Sequence, residues 1–176
     1  MAEISKDSPI LLPLSALKEN GKVMSRSCGE CVACCVYYNI KTPHLHKEAF
    51  KPCELLAEPP EMAEEPTAGR YTSTTDKNCT VHEDKSIKPR ICDDFNCYWL
   101  LGNGDEEDRP DKIGIVIDRS KRIENAHEAK ALWRGAEDTP EGIAMIERMS
   151  KSLGTPIIVL PFGELKIKRI VGRGVE

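Results

Sequence analysis

Cys28-Gly29-Glu30-Cys31-Val32-Ala33-Cys34-Cys35 packs four cysteines into eight residues, and the reading of this stretch decides the rest of the chain. The protein has eight cysteines in all, and the other four follow at Cys53, Cys79, Cys92 and Cys97. A CxxC pair closes a short loop whose two sulfurs can converge on one metal ion, with backbone amides close to the thiolates. Here two such pairs overlap at Cys31, and Cys35 follows at once. Adjacent Cys34 and Cys35 project in different directions. They therefore belong either to two neighbouring metal sites or to one site in which only one of them is a ligand.

Eight thiolates suffice for two separate tetrahedral Cys₄ zinc sites, or for a polynuclear centre. The opening CxxCxxC is similar to the start of a bacterial ferredoxin run, but Val36, Tyr37 and Tyr38 stand where the fourth cysteine and its following proline belong. A remote cysteine has to complete any iron–sulfur cluster. Softness does not decide, since thiolate sets suit zinc and iron–sulfur centres alike. The competing readings are small apolar thiols in a core or a disulfide framework, and the clustering of all eight in one window argues against both. His82, three residues after Cys79, is a candidate for a mixed shell, but a polar loop histidine is the commoner case. His44 and His46 alternate as on an extended segment, and His127 reads as an ordinary surface or interface side chain. Glu83, Asp84, Asp93 and Asp94 crowd the second cysteine group; a solvated acidic loop explains them more simply than a ligand role.

The bulk properties narrow the class. A net charge of −4 gives no electrostatic footprint for a polyanion, which disfavours general nucleic-acid binding. Ile10 to Leu17, broken by Pro13, is too short to span a bilayer and lacks the basic leader of a signal peptide. The expected compartment is a reducing cytoplasm, where cysteines persist as thiols. Aromatic residues make up only 5% of the chain, so the side chains that bury most area are scarce and the cysteine half is expected to need its metal to stay folded.

Taken in order, residues 1–27 read as an irregular lead-in and residues 28–101 as the metal-bearing region. Within it Val36 to Lys41 suits a short strand, His46 to Leu56 a short helix carrying Cys53, and 57–69 an acidic, proline-broken surface loop. Tyr71 to Cys97 reads as short extended pieces and loops tied together at Cys79, Cys92 and Cys97, with a helical turn from Cys97 to Leu101. Gly102 to Asp108 marks a flexible acidic boundary. In residues 109–176 ordinary patterns take over. Ile113 to Asp118 reads as a buried strand, and Ile123 to Trp133 is ambiguous between helix and strand. Thr139 and Pro140 start a helix that presents Ile143, Ile146, Met149 and Leu153 on one face and stops at Gly154. Ile157 to Leu160 and Leu165 to Val171 are strands joined near Phe162-Gly163. The fold expected is α+β: a loop-rich cysteine half, then a small mixed or antiparallel sheet with a packed helix, the two forming one unit.

The ordered set CxxCxxCC at Cys28 to Cys35, Pro52-Cys53, Cys79, and Lys88-Pro89-Arg90-Ile91-Cys92-Asp93-Asp94-Phe95-Asn96-Cys97 resembles the YkgJ-type cysteine-cluster family of zinc- or iron-chelating proteins. Lys88 stands where that family usually has arginine, His82 where it has tyrosine, and the segment between Cys79 and Lys88 is long. The resemblance implies a metal-binding cluster held by Cys28, Cys31, Cys34, Cys35, Cys53, Cys79, Cys92 and Cys97, and leaves zinc and iron open. The leading expectation is thus a metal-binding protein with one compact multi-cysteine centre, with a protein partner on its surface as the candidate mode of action. An iron–sulfur redox protein or enzyme is the alternative, since similar CxxCxxCC segments look like those of flagellin lysine methylases, though no SAM-binding glycine motif is visible here. Metal storage or delivery ranks third.

Overall fold

The computed structural model describes residues 26, 28, 31–43, 45–57, 79–81, 84, 86–164 and 166–172. All eight cysteines fall within this set; the lead-in apart from Arg26 and Cys28, His44, His82, Glu83, most of the acidic 57–69 segment and Tyr71 to Asn78 lie outside it.

The second half forms a four-stranded sheet in the order β3-β4-β5-β6: β3 (Ile115–Arg119), β4 (His127–Ala131), β5 (Ile157–Leu160) and β6 (Arg169–Val171). β3 and β4 are antiparallel with Ile117 opposite Ala129, β4 and β5 are parallel with Ala129 opposite Val159, and β5 and β6 are antiparallel. A parallel pair needs a crossover, and helix α4 (Pro140–Leu153) supplies it. Its ends are written in the sequence. Thr139 accepts the Gly142 amide at 3.0 Å, a cap worth about 1 kcal/mol, Pro140 occupies the first turn, and Gly154 closes the helix with φ of 64°.

Alternation along the strands divides the sheet into two faces. Ile115, Ile117, Ala129, Ala131, Ile157 and Val159 share a core with Met145, Ile146 and Met149 of α4. Met145 takes the place expected of Ile143, which is 39% exposed, because the buried stripe is rotated slightly toward the preceding 3₁₀ turn at Ala136–Asp138. On the opposite face, Val116 joins Leu132 and the cysteine half in a second core that holds Val32, Ala33, Val36, Leu45, Leu56 and Trp99. The sheet is therefore clad by α4 on one side and by the cysteine-bearing segment on the other.

Among the described residues of the cysteine half, the short elements differ from those expected. Helix α1 (Ala33–Tyr37) occupies the first part of the stretch read as a strand, and only β1 (Ile40–Lys41) is extended, pairing with β2 (His46–Lys47). The expected helix from His46 to Leu56 is absent: β2 and a series of turns stand there, and the Cys53 amide is taken by a remote segment of the chain. The Cys53 amide donates to the Cys35 carbonyl at 3.1 Å, and Leu56 pairs with Cys79 across an isolated bridge. Helix α2 (Arg90–Asp94) carries Cys92, and the turn after Cys97 forms as expected, with the Leu101 amide on the Cys97 carbonyl at 3.2 Å.

The acidic boundary is anchored rather than loose. Trp99 donates its indole N–H to the Asp105 carbonyl at 2.8 Å, and Asp105 and Asp108 cap each other around a 3₁₀ turn at Glu106–Asp108. Asp108 is buried and accepts from Arg148 of α4 at 2.6 Å. Helix α3 (Pro110–Ile113) then takes the first residue of the predicted strand, and Gly114 turns the chain into β3 with φ of 75°.

Candidate metal centre

Helix α1 is the hub of the cysteine region. Two consecutive helical residues point about 100° apart around the axis, so Cys34 and Cys35 face different neighbours. Cys34 donates its S–H to Cys97 and lies within electrostatic reach of Cys31 and Cys35. Cys35 lies within electrostatic reach of Cys53, Cys28, Cys79 and Cys92. Cys31 is coupled in the same way to Cys28 and Cys97, and Cys53 to Cys79. All eight cysteines predicted as ligands thus belong to one continuous neighbourhood, drawn from four stretches of chain. They are free thiols, with Cys53 and Cys97 buried, five half-buried and Cys28 at the exposed edge. The disulfide reading does not describe this arrangement.

Local geometry aims backbone donors at sulfur. The Ala33 amide is directed at Cys31, the Leu55 amide at Cys53, and the Trp99 and Leu100 amides at Cys97. The Cys31 amide closes the first CxxC loop on the Cys28 carbonyl at 2.9 Å. Amides so placed stabilise a charged sulfur, and they recur around metal-bound thiolates.

The electrostatic state of the cluster follows from its burial. Desolvation and the neighbouring Asp111 push the Cys31 thiol far up, and burial with the Cys53 charge nearby raises Cys35 to about 12. Donation to Cys97, then burial, lifts Cys34, and burial lifts Cys53. Cys97 alone is lowered, because Cys34 donates to it. So many crowded thiols remain protonated near neutral pH unless a cation replaces their protons, and any metal that binds must release them.

Three basic side chains border the sulfurs, of which the sequence reading singled out only Lys88, as a position of the family motif. Lys47 is buried and its charge falls on Cys53 and Cys35; Lys88 acts on Cys28; Arg109 acts on Cys31 while gripping the buried Asp111 through 2.7 and 3.0 Å bonds. Lys47 and Arg109 carry no sequence signal, since each reaches the site by tertiary packing. Arg26 is another: it donates to the carbonyls of Trp99 at 2.9 Å and Asn103 at 3.0 Å and stacks over the Trp99 ring, tying the chain just before Cys28 to the turn just after Cys97.

Of the secondary candidates, Asp84, His46 and His127 do not join the cluster, while His44, His82, Glu83 and the side chains of Asp93 and Asp94 lie outside what the structure describes. Asp84 is exposed and accepts from the Ser86 amide at 3.0 Å, a local turn. His46 is exposed on β2. His127 is buried in the sheet, bonded through Nε2 to the Tyr98 hydroxyl and through Nδ1 to Thr155 Oγ1 at 2.7 Å, which makes it an interface side chain.

Among the described residues, no three His, Cys, Asp or Glu side chains stand in the arrangement that closes around a single ion. The donor chemistry nevertheless fits a thiophilic metal: a set of soft sulfurs, amides aimed at several of them, and flanking cations to offset thiolate charge. Among the described residues no helix is long and apolar enough to cross a membrane. Comparison with protein-family models, curated proteins and solved structures gives no match.

Proposed function

We propose that the chain is a metal-binding protein whose eight cysteines, Cys28, Cys31, Cys34, Cys35, Cys53, Cys79, Cys92 and Cys97, hold zinc or iron in a compact centre. The observation that carries this reading is the meeting of eight free thiols, from segments up to seventy residues apart, with backbone amides directed at Cys31, Cys53 and Cys97. Burying apolar surface alone gives no reason to aim amides at sulfur. The resemblance of residues 28–97 to the YkgJ-type cysteine-cluster family points the same way.

Bound zinc would act structurally, joining α1, the Cys53 turn, the Cys79 bridge and α2, and leaving the outer surface to meet a partner. Such thiols persist in a reducing compartment, which favours the cytoplasm. Elemental analysis of anaerobically purified protein, with its absorption spectrum, tests the reading. Zinc and no colour assigns a structural centre; iron with sulfur-to-iron absorption assigns an iron–sulfur centre. Metal-free protein with its native circular dichroism would overturn both.

A further inference from the structure

Phe50 holds a backbone conformation that its side chain disfavours. Its φ of 62° lies in the left-handed region, which glycine and asparagine visit readily and a bulky aromatic residue does not. Such a residue persists only where its surroundings hold it in place. Here the hold is on the ring, which meets Tyr37 edge-on at 5.0 Å between centroids and Phe162 edge-on at 4.9 Å. Tyr37 belongs to α1 and Phe162 follows β5, so the ring is clasped between the cysteine half and the sheet half. Phe50 itself is half-buried and belongs to none of the hydrophobic cores formed by the described residues. Its release takes no side chain out of a core.

The turn 48–52 that carries Phe50 is fastened firmly at its ends and lightly between them. At one end the buried Lys47 ammonium grips the Val36 carbonyl at 2.8 Å and the Tyr38 carbonyl; at the other the Cys53 amide meets the Cys35 carbonyl at 3.1 Å. Between these anchors the Phe50 amide reaches the Tyr37 carbonyl at 3.3 Å, and Lys51 pairs with Glu48 in an ion pair open to solvent, a kind that contributes little.

The same turn separates two environments. On its outer side lies an open cleft of about 270 Å³ lined by His46, Lys47, Glu48, Lys51, Pro52 and Glu54. Cys53 stands between two of these residues but faces the other way, 7% exposed, in the core it shares with Val36 and Leu45. The turn is thus the wall between the solvent-filled cleft and the Cys53 thiol.

We infer that the turn 48–52 is a strained latch over Cys53. When the Phe50 ring leaves its seat between Tyr37 and Phe162, the backbone relaxes out of the left-handed region and the wall opens locally, with α1 and the sheet in place. The opening itself requires no bound metal. Its use as the route by which a thiophilic cation reaches or leaves Cys53 rests on the metal-binding reading above.

Native-state hydrogen exchange on the full-length protein, read amide by amide, tests the latch, because it separates local opening from global unfolding. The Phe50 and Cys53 amides are expected to exchange together and at least about tenfold faster than the β4 amides. Phe162→Ala empties the ring's seat without touching the turn and should speed both by about tenfold. Ile146→Val, a change in the core under α4, should speed the β4 amides and leave these two as they were. Phe50→Ala and Phe50→Gly both remove the ring, but only glycine accepts the left-handed φ freely, so the Cys53 amide should exchange about fivefold faster in the alanine variant. Iodoacetamide should alkylate Cys53 about tenfold faster in Phe162→Ala than in the wild type, in step with its amide. Turn amides that follow Ile146→Val, that ignore Phe162→Ala, or that exchange equally in the alanine and glycine variants overturn the latch and leave metal binding untouched. Cys53 alkylation that stays constant while its amide opens overturns the role of the turn as its cover. Elemental analysis is run alongside: a protein that opens as expected yet holds no metal keeps the latch and overturns its part in cation passage.

Discussion

The buried ammonium of Lys47 donates to the carbonyl of Val36 at 2.8 Å, at the end of the helix that carries Cys34 and Cys35. The same nitrogen bonds the Tyr38 carbonyl and reaches the Glu48 carbonyl at 3.0 Å, so one side chain satisfies acceptors that a five-residue helix leaves open. It also brings positive charge toward Cys53 and Cys35. Lys47→Met keeps the stem and removes both services. The variant should lose about 1–3 kcal/mol of stability, the range for stranded buried polar groups, and should surrender metal to a competing chelator sooner than the wild type. Urea unfolding and chelator competition check this; unchanged metal retention would remove Lys47 from the electrostatics of the centre.

His127 makes acid a specific stress. Burial, and secondarily the Arg119 charge, hold its pKa below the ordinary histidine value, and its two ring nitrogens are engaged by Tyr98 and Thr155. With Tyr98 donating to Nε2, the Nδ1 proton goes to Thr155, which is the neutral form. The unfolded chain takes up its proton near pH 6.5, the native chain only at lower pH. Between those values the unfolded state binds more protons, so this contribution to stability is full above about pH 6.5 and is lost as the pH falls toward the native value. Urea midpoints at pH 7.5 and 5.5 should therefore fall further in the wild type than in His127→Gln, and equal losses would contradict the neutral assignment.

The α4 segment was legible because its signals are local. Thr139, Pro140 and Gly154 act within one turn of themselves, and the strand read from Ile157 to Leu160 needed only its apolar run. The cysteine region yielded its ligand candidates but not its shape. Val36 and Tyr37 favour strand by residue type, yet they lie in α1, where Val36 is fully buried and packs into the core beneath the sheet. The reverse held for His46 to Leu56, where non-local bonds from Cys53 to Cys35 and from Leu55 to Thr80 outweigh any helical spacing. Lys47, Arg109 and Arg26 were invisible for the same reason, since their meaning lies in partners remote along the chain.

Gly114 is the joint between the two halves. Its φ of 75° is left-handed, and a Cβ built there would stand 2.3 Å from Trp133 Cζ2. The Trp133 ring packs against both cores, the one under α4 and the one beneath the cysteine helix. Gly114→Ala therefore strains the backbone and displaces a side chain common to both, and a loss of about 2–4 kcal/mol is expected. The measurement is chemical denaturation followed by tryptophan fluorescence. A loss below about 1 kcal/mol would show that the ring has room to move aside.

Where the cysteine helix meets the sheet, the contact is ionic as well as apolar. Tyr38 donates its hydroxyl to Asp118 Oδ2 at 2.6 Å, and Lys130 reaches Asp118 Oδ1 at 2.5 Å and Glu128 Oε2 at 3.1 Å while its ammonium lies 4.9 Å from the Tyr38 ring centroid. These groups are largely shielded from solvent, so removing Lys130 strips Asp118 of its cation at low dielectric, while Glu128 keeps Arg122 Nε at 3.5 Å and the Ser120 hydroxyl at 2.9 Å. Lys130→Met is expected to cost about 3–5 kcal/mol, the range for breaking a buried ion pair. Tyr38→Phe removes only a hydrogen bond to a carboxylate that keeps its lysine, and about 1.5–3 kcal/mol is expected. The second change Asp118→Asn should recover part of the Lys130→Met loss, because it removes the stranded charge, whereas in the wild type it should destabilise. A double-mutant cycle by urea unfolding measures the coupling. Additive effects would mean that water rather than Lys130 balances Asp118, and that the cysteine helix is held to the sheet by its apolar core alone.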